Sequence, residues 1–139
     1  MKKGFTLLEL IIVIIIVGVL ATLGYAQYGR MVERARGAEA RSVIGAIRTF
    51  EAAYRLEHNN SVTATESEVG IGSNTDQIPD ACRNTHYFSY SVGGSGSTMT
   101  ATASRCTASG KAPQGTAGTL ILTTNFDDGT DTWSGTGGY

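Results

Sequence analysis

The chain is expected to adopt an α+β architecture, a long N-terminal α-helix packed on a small antiparallel β-sheet. Three observations carry this expectation. From Leu10 to Gly29 there are 20 residues without a charge, and the first 15 are nearly all aliphatic. No proline occurs before Pro79, so a helical pattern can run well past the apolar stretch. Beyond Cys82 the apolar residues recur every second position, in segments separated by glycine and serine.

The helix comes first. Residues 5–26 at about 1.5 Å per residue give roughly 33 Å, enough to cross the hydrocarbon core of a bilayer. Lys2 and Lys3 precede the run and Arg30 follows it, which favours a cytoplasmic N-terminus with the rest of the chain outside. After Gly29 the pattern becomes amphipathic. Val43, Ile47, Phe50 and Tyr54 fall on one stripe, and Ala40 and Ile44 widen it. Arg41, Arg48, Glu51 and Arg55 face away, with Glu51 and Arg55 spaced for an i,i+4 ion pair. One helix from about residue 5 to 57 would be roughly 80 Å long.

Residues 58–81 are polar and rich in turn formers, a connecting loop with one short turn near Glu66–Gly70. Asn59-Asn60-Ser61 matches a glycosylation sequon, a pattern of low specificity. The strands follow. In "THYFSYSV", Phe88, Tyr90 and Val92 alternate with polar residues, as do Met99, Ala101 and Ala103 in "STMTATAS". "GGSG" between them is a hairpin turn, and matching the apolar faces sets Phe88 opposite Ala101 or Ala103. "GTLILTTNF" (118–126) is a third strand and "DTWSG" a short fourth, its Trp133 covering the sheet edge or the helix.

Composition narrows function. Residues 1–29 carry a net charge of +1 and residues 30–57 a net +2, from six arginines against four glutamates. From residue 58 onward three basic residues face seven acidic ones, a net −4. The arginines are interleaved with glutamates, so no basic face for nucleic acid forms. Cys82 and Cys106 stand in no CxxC arrangement, and His58 and His86 are isolated, so no zinc site is expected. Two cysteines behind an export-like start suggest one disulfide closed outside the cytoplasm and bracketing the hairpin, two free buried thiols being the alternative. There is no nucleophile elbow, phosphate loop or clustered acid–base set, so neither catalysis nor a cofactor is expected.

One residue stands out in the N-terminal run: Glu9, a carboxylate inside an apolar block. A secretory signal peptide ending at Ala26 does not account for it, and a plain membrane anchor does so only if Glu9 reaches to the headgroups. "KKGFTLLEL", with its basic leader, glycine, phenylalanine and a glutamate four residues on, resembles the class III leader of type IV pilins and type II secretion pseudopilins. The resemblance covers the first 30 residues strongly and extends to about residue 57 by architecture.

The resemblance implies the pilin fold and a structural role rather than an enzymatic one. Prepilin peptidase would cut between Gly4 and Phe5, and the new amino group of Phe5 would be methylated. Glu9 would register subunits by meeting the N-terminal ammonium of a neighbour. Gly18 and Gly24 would mark where the helix melts in a filament; Ala26 stands where many pilins have proline, so melting would rest on the glycines. The implied segments are a leader (1–4), an apolar membrane and filament-core helix (5–29), its amphipathic continuation (30–57), a connecting loop (58–81) and a disulfide-bracketed sheet (82–139). Its partners would be copies of itself, the inner membrane before assembly, the peptidase and the pilus assembly machinery, and its destination the cell surface. A pseudopilin or minor pilin is the alternative within the family, and a secreted binding domain outside it. Some pseudopilins hold calcium in a C-terminal loop, but Asp127, Asp128 and Asp131 lack EF-hand spacing and read as an acidic turn, with no metal.

Overall fold

The computed structural model describes residues 4–139 apart from Ala64, Ser109, Gln114 and Gly138, so Lys2 and Lys3 of the leader lie outside the described residues, as does the side chain of Ala26. In chain order the elements are α1 (Leu7–Glu57), a 3-10 turn (Glu66–Val69), β1 (Ile71–Gly72), β2 (Ile78–Pro79), β3 (Phe88–Ser95), β4 (Thr98–Arg105), β5 (Thr119–Asn125) and β6 (Thr130–Gly135). The chain divides into two compact units, Met1–Val32 and Glu33–Tyr139, and α1 contributes to each. The architecture is α+β, one long helix and an antiparallel four-stranded sheet.

In the first unit α1 carries apolar side chains all round, and among the described residues none of them is buried. In the second unit its buried face is Glu33, Ala40, Ile44, Ile47 and Glu51. These positions recur at seven residues, or at four and three, which keeps one face turned to a neighbour over several turns. The face differs from the stripe read in the sequence. Phe50 is half exposed, while Val43 only edges the core. Glu51, expected to face water, is fully buried. Small Ala40 lets the sheet lie close, and Glu51 is accepted inside because the Thr63 N–H donates to its Oε2 at 3.1 Å. The Glu51–Arg55 pair does not form: Arg55 donates to Asn60 O and Asp127 instead. The helix stops after Glu57, where Asn59 and Asn60 take left-handed backbone (φ 52° and 60°), a conformation asparagine tolerates better than most residues.

The sheet is a meander in the order β3-β4-β5-β6, every pair antiparallel. β4 and β5 alternate strictly between buried and half-buried side chains, and Met99, Ala101, Ala103, Leu120 and Leu122 form the face beneath the helix. The hairpin register is two or four residues from the expected ones, which set Phe88 opposite Ala103 or Ala101. Tyr90 pairs with Ala103 and Val92 with Ala101, while Phe88 sits opposite Arg105. The turn is tighter than "GGSG" implied: Gly93 and Gly94 remain in β3, and only Gly96 and Ser97 link the strands. Gly96 has φ +61°, as the first central position of such a two-residue turn demands. The alternation of apolar residues allows either register; the turn selects this one. The connecting loop contains the foreseen turn and also a parallel pair, β1–β2, of two residues each, too short for any periodicity to announce.

Candidate assembly segment

The first turn of α1 is built by two side chains. Thr6 precedes the helix and its carbonyl accepts the first intrahelical bond, from Leu10 N–H. The Thr6 N–H and hydroxyl both donate to Glu9 Oε2, each at 2.8 Å, and the Glu9 N–H donates to Thr6 Oγ1 at 3.3 Å. This is a reciprocal capping box, T-x-x-E, which satisfies two helix-end donors at once. The spacing is legible in "TLLE", and a reading that weighs Glu9 only as a charge in an apolar run misses Thr6. Glu9 therefore has a local partner before any neighbour is considered. Gly4 and Phe5 lie just ahead of the helix, exposed, with Phe5 88% accessible.

Behind this cap the helix is long and apolar enough to cross a membrane, and its apolar window is entirely unburied. A row from Leu7 through Leu23, mostly isoleucine, leucine and valine, is left at least two-fifths exposed. Apolar surface of this extent is unfavourable in water and must be covered by lipid or protein. Gly18 and Gly24 are helical, and a Cβ added at either would meet nothing within 4 Å. No contact among the described residues therefore requires glycine there, which leaves backbone adaptability as its physical contribution. Tyr25 and Tyr28 are exposed, as is common near a membrane boundary.

The second unit is fastened at three places. Cys82 and Cys106 form a disulfide with Cα atoms 5.6 Å apart, Cys82 lying ahead of β3 and Cys106 just past β4. The Cys106 N–H donates to Tyr87 O, continuing the ladder by one step to the bridge. Beside it Arg105, buried, donates to both carboxylate oxygens of Glu33 at 3.1 and 3.2 Å, and Arg36 contacts the same carboxylate. Burial pushes the Glu33 carboxyl up, but Arg105 and then Arg36 outweigh it and hold it below the usual range.

At the opposite flank of the helix Arg41, Arg48 and Arg55, each seven residues apart, reach β6 and the turn before it. Arg41 lies 5.5 Å from the Trp133 ring, Arg48 donates to Asp131 at 3.0 Å, and Arg55 to Asp127 at 3.1 Å. The helical spacing turns all three away from the apolar stripe; Asp131 and Asp127 draw Arg48 and Arg55 to the sheet, while Arg41 stays exposed. Asp131 also accepts from the Thr124 hydroxyl at 2.7 Å, and that bond, with Arg48, holds its carboxyl below the usual range. Asp128 is held low by the Thr130 hydroxyl and N–H. The three aspartates thus point to separate partners, and among the described residues no group of three or more acidic, histidine or cysteine side chains converges on a metal-sized site.

The family described as the prokaryotic N-terminal methylation motif matches residues 1–25. Among characterised proteins, a fimbrial protein of Pseudomonas aeruginosa is 33% identical over 82 residues, 57% of this chain and 53% of that protein. A fimbrial protein of Neisseria meningitidis is 36% identical over 76 residues, 55% of this chain and 44% of that protein. The type IV major fimbrial protein FimA of Dichelobacter nodosus is 41% identical over 49 residues, 35% of this chain and 31% of that protein. The chain spans about half the length, or less, of these relatives. No solved structure gives a significant match.

Proposed function

We propose that this chain is the structural subunit of a type IV pilus-like filament, and that it has no catalytic role. The observation that carries the reading is the pairing of a methylation motif over residues 1–25 with an apolar helical segment in which no residue of the apolar window is buried. The fimbrial relatives favour a pilus subunit over a pseudopilin.

In this reading the apolar helix first holds the subunit in the inner membrane. Prepilin peptidase removes residues 1–4, cutting between Gly4 and Phe5, and Phe5 is then N-methylated. Gly4 and Phe5 precede the capped turn, so cleavage leaves the Thr6–Glu9 box whole. The assembly machinery then moves the subunit from lipid into a bundle of copies, where neighbours cover the row from Leu7 to Leu23. Glu9, already oriented by Thr6, meets the ammonium of a neighbour's Phe5, and a wrong register leaves a desolvated charge without a partner. Gly18 and Gly24 permit the helix to loosen at the bundle, and the disulfide-closed unit forms the outer surface of the filament at the cell surface.

Mass spectrometry of the mature N-terminus tests this. Methylated Phe5 is the expected first residue; a chain beginning at Met1 or at Gln27 would defeat the proposal.

A further inference from the structure

Glu51 has no part in the assembly reading, yet it is the one residue of α1 whose carboxyl is buried without a cation. It is 0% exposed; Oε2 accepts from the Thr63 N–H at 3.1 Å, and Oε1 has no partner among the described residues. Each element around it offers either a neutral or an acidic group. On α1 the Tyr54 hydroxyl lies toward Thr63 and Glu68, and its ring stacks on His58 at 3.8 Å. Arg55, one residue further, is committed to Asn60 O and Asp127. On the 3-10 turn Glu68 adds a second carboxylate that acts on Glu51. Val62 and Thr63 of the connecting segment are buried, and the segment is further tied by the Val62 N–H to Gly96 O at 2.9 Å.

We propose that Glu51 is a pH-sensitive latch: as the neutral acid it holds the connecting segment at Val62 and Thr63 against the helix, and on ionising it lets these residues open to water. A neutral carboxyl fits this site, whereas an ionised one is desolvated beside another carboxylate with a single N–H to compensate it. Burial pushes the carboxyl above its ordinary range, the Thr63 N–H works against this, and Glu68 reinforces it. Because the value is raised in the folded state, the stabilisation is fully present below the ordinary carboxyl value. It is lost as pH rises through the folded one. The opening constant thus grows by up to about tenfold per pH unit across that window and then levels off. The latch belongs to the folded second unit and stands whether or not the chain forms filaments.

The test is the hydrogen-exchange protection factor of the Thr63 amide, measured from pH 4 to pH 9 on the full chain in detergent micelles. In the wild type it should fall by up to about tenfold per pH unit over the window and flatten above it. In Glu51→Gln, which imitates the neutral acid in shape, it should be level across the whole range. A wild-type slope in Glu51→Gln overturns the latch. Should that variant not fold, Glu68→Gln decides: removing the facing carboxylate should end the fall at a lower pH. An unchanged profile in Glu68→Gln then overturns it.

Discussion

Thr6 changes how Glu9 should be regarded. In the single chain the carboxylate closes a capping box, so its substitution removes a local partner and, in the proposed filament, a partner for a neighbouring subunit as well. Glu9→Leu is expected to leave membrane insertion intact, since the apolar run lengthens, and to abolish filaments. Normal filaments from this variant under the electron microscope would rule out registration by Glu9. In the folded unit the decisive pair is Glu33–Arg105. Arg105→Met leaves the carboxylate buried with only Arg36, a loss of about 3 kcal/mol by the usual behaviour of broken buried pairs. Chemical denaturation at neutral pH measures it. The Glu33 carboxyl is held low, so its stabilisation is present above the ordinary carboxyl value and lost as pH falls through the folded one. The gap between wild type and Arg105→Met should therefore close in acid.

Among the elements, the helix and the longer strands were legible because their side chains repeat: uncharged aliphatics over Leu10–Gly24, and alternation over Phe88–Val92 and Met99–Ala103. The buried face of α1 was legible only in part: Ala40, Ile44 and Ile47 lie on the apolar stripe and are buried, but apolarity also singles out Phe50 and Tyr54, whereas the fold recruits Glu51 through a loop N–H that lies 12 residues away. The destinations of Arg41, Arg48 and Arg55 were hidden for the same reason. Their partners lie on β6 and in the turn before it, and no local spacing links residue 48 to residue 131. The cleavage, methylation and registration roles were read from the leader motif alone. The Cys82–Cys106 bridge closes a loop of 24 residues' separation, and replacing both cysteines by alanine should cost roughly 3 kcal/mol, visible as a lower Tm in non-reducing buffer. Arg48→Ala and Arg55→Ala should each cost under about 1 kcal/mol, because their partners are exposed, and the difference should fade in 1 M salt.

At the level of the molecule, burial is partitioned between the two units. The core of the second unit lies wholly between Ala40 and Leu122, with Tyr139 and Phe126 at its edges, while the row from Leu7 to Leu23 adds nothing to it. A fragment of residues 33–139 should therefore remain dispersed and unfold cooperatively without detergent, and the full chain should require detergent. Sedimentation of both in plain buffer checks this, and a fragment that aggregates would place part of its stability in the removed segment. The seven-residue spacing of α1 sets a rule for how such a chain can change length. The inward positions from Glu33 to Glu51 and the clasping arginines from Arg41 to Arg55 share one period on one helix. Losing a single residue between them turns every later side chain by about 100°, carrying Ile47 and Arg48 off their targets together. Over this stretch evolution could shorten or extend the helix only by lengths close to whole turns, such as about 7, 11 or 18 residues, whereas the turn before β6 is free to vary as long as it keeps an acid for Arg55.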